Sequence, residues 1–228
     1  TLKDSVHPTL VQTCENTPVM VHTGPFANIS TGNNSILADR IALKLADYVV
    51  TEAGFGADMG AEKFFNIKCK TSGLRPSAVG MIVSIRAIKA MSGQFNIRPG
   101  KKPDPKLFDE NIPALKLGSV NLAKQIENIN LFGLPIVVAI NHFESDTPSE
   151  LEFVQTFCKE LNIHSVVQSR LFQKGSDGGI HFAKAIVDAT EQKNDFRFLH
   201  TDQSTIEEKI RNLALKIYGA KSVTYSQQ

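Results

Sequence analysis

Tryptophan is absent from the 228 residues, and cysteine occurs only three times, at Cys14, Cys69 and Cys158. An odd number of widely spaced thiols excludes a disulfide scaffold and the closely paired ligands of a zinc ribbon. It reads instead as free thiols in a reducing compartment, and a cytoplasmic location is expected. Charge of one sign is lacking as well: 25 Lys and Arg against 23 Asp and Glu leave a formal net charge of +2. That is too little to draw the whole chain onto nucleic acid or an acidic membrane, so any anionic ligand must be met by a local site. No apolar run approaches the ~20 residues that span a bilayer; the longest, Leu134 to Ile140, contains Pro135. Thr1 to Val11 mixes Lys3, Asp4 and His7 with scattered apolar positions, without the hydrophobic centre of a secretory signal. The patterns G-x-x-x-x-G-K-[ST], H-E-x-x-H and C-x-x-C do not occur, which argues against self-sufficient ATP hydrolysis and zinc chemistry. No metal site is expected among these residues.

What is present is an ordinary globular composition, 42% hydrophobic and 21% charged, in a chain long enough to bury a sizeable core. Short β-branched runs alternate with stretches of helical spacing, the pattern of parallel strands joined by crossover helices. Strands are expected at Val19 to His22, Tyr48 to Thr51, Ala78 to Ile85, Ile136 to Ile140 and His164 to Val167. Helices are expected after Asn34 or Ser35, around Glu62 to Ile67, and over Val120 to Ile129, Pro148 to Leu161, Gly178 to Thr190 and Ser204 to Tyr218. Between them, Met91 to Pro113 carries Gly93, Pro99, Gly100, Pro103 and Pro105 among Lys101, Lys102 and Lys106. It reads as a long exposed excursion, either a solvated loop or a basic lid or oligomer contact. Three regions follow: 1–95, an excursion over 96–118, and 119–228.

In an open parallel sheet, ligands collect beyond the carboxyl ends of the strands. Four loops fall there. His22 to Ile29 contains Gly24, Pro25 and Asn28, a tight turn with a donor and acceptor amide, or simply a strand-to-helix turn. Thr51 to Gly60 is glycine-rich and resembles a dinucleotide fingerprint, but its spacing, G-x-G-x-x-x-G, is off by one residue. A nicotinamide site is the weaker reading there, because no ribose-binding acid follows the next strand. Glu52 and Asp58 are candidate general bases or magnesium ligands, or merely solvated acids. Ala139 to Thr147 places Asn141 and Phe143 after the most apolar strand. An amide and a ring there suit the edge and face of a purine or pteridine, while Ser145 or Asp146 caps the next helix. Arg170 to Gly179 is basic and glycine-rich, suited to an anion or a ring edge.

Three runs carry a more specific signal: Thr23-Gly24-Pro25-Phe26-Ala27-Asn28-Ile29, Val50 to Asp58 continuing through Glu62 to Lys68, and Val83-Ser84-Ile85-Arg86-Ala87-Ile88-Lys89. With Asn121 to Asn128, Ala139-Ile140-Asn141, Phe143, Asp146-Thr147, Lys174-Gly175 and Gly178-Gly179, they cover essentially the whole chain. Read together, they resemble the formate–tetrahydrofolate ligase family. The resemblance implies a P-loop NTPase-like α/β fold and a reaction in which MgATP phosphorylates formate and the formyl phosphate formylates N10 of tetrahydrofolate. It implies a folate ring held between Phe143 and Phe172, the latter where the family usually has Trp, with Asn141 beside them. It leaves Gly24, Pro25, Asn28, Glu52 and Asp58 as candidates facing ATP and formyl phosphate. Lys63, Lys68, Arg75 and Arg86 are candidate partners for phosphate or polyglutamate charge, or else structural cations. The family pattern departs at Met91-Ser92-Gly93 and at Glu144. The family's phosphate-binding loop is not among these residues, so the chain is expected to be a fragment, inactive by itself as a ligase. A homotetramer is implied by the bacterial members. A non-catalytic folate-binding or assembly module is the alternative.

Overall fold

In a computed structural model of the chain, residues 3–98 and 100–226 are described. The strands are β1 (Thr9–Gln12), β2 (Pro18–Val21), β3 (Val79–Val83), β4 (Ile136–Asn141) and β5 (Ser165–Ser169). The α-helices are α1 (Ile36–Leu45), α2 (Lys70–Ser72), α3 (Ile85–Ala90), α4 (Ile112–Asn130), α5 (Pro148–Lys159), α6 (Leu171–Lys174), α7 (Ile180–Thr190) and α8 (Ile206–Asn212). Wider π-helical turns occupy Ala57–Ala61, Phe64–Cys69 and Leu213–Ile217. The chain forms two compact units: the described residues of Thr1–Arg75 with Phe198–Gln228, and those of Pro76–Arg197. The expected excursion over 96–118 falls within the second.

The second unit is an α/β layer structure with parallel sheet order β3-β4-β5. Central β4 explains why its sequence is a continuous apolar run: Ile136 to Ile140 are all buried, as a strand covered on both faces must be. On one side Val137 packs against Ala185 and Ala189 of α7, with Phe182 and Ile186 alongside. Elsewhere in the unit, α3 and α4 pack directly on each other. A Cβ on Gly118 of α4 would come within 1.8 Å of the Ile88 carbonyl of α3, so only glycine permits that approach. Helix α4 begins at Ile112, eight residues before the expected Val120. Asn111 caps it, its side chain accepting from Ala114 N, and Pro113 sits in the first turn, where its missing N–H costs nothing. The excursion is correspondingly shorter, and its far end is anchored by the 3-10 turn Pro105–Phe108 with Leu107 buried. Pro99 lies outside the described residues.

In the first unit, β1 and β2 form an antiparallel pair, Thr9 opposite Val21. Ser35 caps α1 by accepting from Ala38 N, as expected. The expected strand at Tyr48 to Thr51 does not form, and Val50 is 89% exposed. Its β-branched residues favour a pleated surface only where a neighbouring strand completes the ladder. The helix expected from Ser204 is capped by Thr205: its hydroxyl accepts from Glu208 N while the Glu208 carboxylate accepts from Thr205 N. Among the described residues, no helix is long and apolar enough to cross a membrane.

Candidate functional site

The second unit gathers three expected residues at the carboxyl edge of its sheet. Strand β4 ends at half-buried Asn141. His142 N then donates to Ser169 O at 2.9 Å, holding the loop against the end of β5. Phe143 N donates to Asp146 Oδ2 at 2.8 Å. Burial raises the Asp146 carboxyl above the usual carboxylate range, with the Phe143 amide pulling the other way. Phe172 stands on α6, 85% exposed. The loops bearing the two rings are tied through His142: Arg170 Nε donates to its Nδ1 at 3.1 Å and Gln173 Nε2 donates to its carbonyl at 2.8 Å. No direct ring contact joins Phe143 and Phe172 among the described residues. A cavity of about 330 Å³ opens beside this loop, walled by His142, Asp146, Leu151, Gln155, Gln168 and Arg170. Asn141, Phe143 and Phe172 are not among its walls.

Two features that support Phe143 come from the run Val83 to Lys89. Ser84 caps α3 by accepting from Ala87 N, and the Arg86 guanidinium then lies over the Phe143 ring, 4.0 Å from its centroid. Phe108 takes the same guanidinium at 5.3 Å. Arg86 makes no ion pair or hydrogen bond among the described residues; its charge reaches Asp146 through space. One turn on, Lys89 and Glu150, with side chains 1% and 0% exposed, pair at 2.8 Å. Lys89 Nζ also donates to Asp109 O at 2.8 Å, and Glu150 Oε1 accepts from Asn111 N at 3.0 Å. The other Glu150 oxygen accepts from Thr147 N at 3.2 Å, closing a capping box at the start of α5. Both Glu150 oxygens and the Lys89 ammonium thus have hydrogen-bond partners, within the pair or beyond it, the condition for burying charge. Sequence reading named Arg86 among four equivalent cations and did not single out Phe108, Lys89 or Glu150; the helical spacing of Arg86 and Lys89 was the available signal.

The first unit holds the other candidates on two loops that interlock. Thr23 and Phe55 both adopt positive φ, 57° and 66°, a conformation rare for residues with a side chain. In the first loop Gly24 and Asn28 are exposed and Pro25 is half-buried, while Ala27 is buried beneath the turn. Lys63 Nζ donates to Ala27 O and, at 3.0 Å, to Ser30 O. The second loop is joined to the first by Gly54 N donating to Gly32 O at 2.8 Å. A Cβ on Gly60 would lie 1.7 Å from Gly54 O, so the glycine spacing that resembled a nucleotide fingerprint serves close backbone packing. Glu52 is exposed; Asp58 is half-buried, and its carbonyl accepts from Tyr218 Oη at 3.3 Å. Lys68 pairs with Asp39 at 2.6 Å with both side chains buried, and Arg75 is exposed. Among the described residues, no group of three or more His, Cys, Asp or Glu side chains is placed to hold a metal ion.

A parallel sheet flanked by helices, with polar and aromatic side chains on the loops after its strands, defines an α/β protein. Sequence comparison narrows that class. The family model described as formate–tetrahydrofolate ligase matches residues 1–228, and the chain belongs to that family. It is similar to the formate–tetrahydrofolate ligase of Herpetosiphon aurantiacus, 46% identical over 226 residues, which cover 99% of this chain and 40% of the relative. The protein of the same name from Roseiflexus castenholzii is 47% identical over 227 residues, covering 100% of this chain and 40% of the relative. That from Yersinia enterocolitica is 46% identical over 227 residues, covering 100% and 39%. The chain thus spans about 40% of the length of these relatives.

Proposed function

We propose that the chain supplies the tetrahydrofolate-binding part of an ATP-dependent formate–tetrahydrofolate ligase. In that reaction ATP phosphorylates formate, N10 of tetrahydrofolate attacks the carbonyl carbon of formyl phosphate, and phosphate leaves as 10-formyltetrahydrofolate forms. The observation that carries the reading is that Asn141, Phe143 and Phe172 lie at or just after the carboxyl ends of neighbouring strands β4 and β5, with the Arg86 guanidinium over one face of the Phe143 ring. Phe143 and Phe172 offer faces to the pteridine, and Asn141 offers a paired donor and acceptor to its edge. The loops around Gly24, Pro25 and Asn28 and around Glu52 and Asp58 serve ATP and formyl phosphate in this reading. Magnesium arrives with the ATP phosphates, and Glu52 and Asp58 are the loop carboxylates suited to meet it. The setting is a cytoplasmic homo-oligomer. The test is calorimetric titration of tetrahydrofolate into the chain and into Phe143→Ala. Loss of one stacking face is expected to weaken binding by roughly 1–3 kcal/mol, the scale for bases stacked on aromatic side chains. An unchanged dissociation constant would remove Phe143 from the site.

A further inference from the structure

Of the cations suggested by the sequence to meet ligand charge, Lys63 is engaged with backbone carbonyls and Lys68 with Asp39. Arg86 differs. It is half-buried, it lies against two aromatic rings, and no carboxylate lies within ion-pair distance of it among the described residues. A guanidinium held that way keeps its full charge directed at the ring faces. An aromatic ring carries negative potential above and below its plane, and a cation on one face draws that density towards itself. The opposite face becomes less negative and therefore stacks better on an electron-rich partner than on an electron-poor one.

We propose that Arg86 is a specificity-determining positioning residue: by occupying one face of Phe143, it tunes the rest of the ring to prefer a fully reduced pteridine over an oxidised one. The inference rests on the reading of Phe143 as the folate-stacking residue and assigns that site its redox selectivity. In the reduced pteridine, the second ring is a saturated diamine that feeds electron density into the pyrimidine. In the oxidised form, that ring is an electron-poor pyrazine. The surroundings hold Arg86 in place for this role: Phe108 packs on it at 5.3 Å, the Ser84 cap fixes the start of α3, and the buried Lys89–Glu150 pair anchors the following turn.

The experiment compares dissociation constants of tetrahydrofolate and folic acid, measured anaerobically by calorimetry on the full chain and on three variants. Arg86→Met and Arg86→Gln remove the charge while keeping a long side chain, and Arg86→Lys keeps the charge. The neutral variants should lower the preference for tetrahydrofolate over folic acid about three- to tenfold, a change within the range of one cation–π contact. Arg86→Lys should restore most of the preference. A merely structural role would weaken both ligands alike, so an unchanged ratio in the neutral variants, with binding retained, would overturn the assignment of Arg86 alone. If the unaltered chain bound neither ligand, the folate reading itself would fall, and the tuning role with it.

Discussion

Burial pushes the Cys69 thiol up to about 12 and the Cys158 thiol up to about 11, while Cys14 stands exposed. With a thiol reagent at pH 8, one group should therefore react quickly in the folded chain and all three after unfolding in urea, because the thiolate is the reactive form. The linkage has a definite sign. The unfolded thiols release their protons near the ordinary value of about 8.5, whereas the folded ones hold theirs to higher pH. Stability should thus fall as pH rises above about 8.5 towards 11, and denaturation followed at several alkaline pH values checks it. What the sequence disclosed at this scale was residue type, not surroundings. Asn141 and Phe143 were recognisable because polar and aromatic side chains close an apolar strand. Arg86 looked no different from Lys63, Lys68 or Arg75, since a cation's role depends on which carboxylate, carbonyl or ring is folded against it.

Among the elements, the end of α3 and the starts of α4 and α5 share one electrostatic junction. Removing the charge of either Lys89 or Glu150 strands the other inside the protein. Lys89→Met is therefore expected to cost about 3–5 kcal/mol in urea denaturation, the usual range for an uncompensated buried partner. The double variant Lys89→Met, Glu150→Met should recover much of that loss, because neither charge then remains to be solvated. Strands β2, β3, β4 and β5 and helices α1, α5, α7 and α8 were legible from spacing and caps. The rest was hidden for specific reasons. Pro113 looks like a breaker but occupies a helix start, where no N–H is required. Tyr48 to Thr51 has strand propensity without a strand beside it. The antiparallel partner β1 has no alternation to betray it: all four of its residues are exposed.

For the whole molecule, the absence of a phosphate-binding motif in the sequence sets the expectation for chemistry. Incubated with formate, ATP, magnesium and tetrahydrofolate, this 228-residue chain should form no 10-formyltetrahydrofolate, because phosphoryl transfer needs a preorganised phosphate cradle and cation. Product formation would instead show that the glycine-built loops at Gly24 and Gly54 suffice. The compact unit that carries those loops is assembled from two stretches of chain, ending at Arg75 and resuming at Phe198, with the sheet unit between them. During synthesis the polypeptide emerges from its amino end. The sheet unit is therefore fully synthesised before the segment that closes the other. Once folded, that unit holds its own two ends together, Asn194 Nδ2 donating to Pro76 O at 2.6 Å, which shortens the loop the two separated stretches must close.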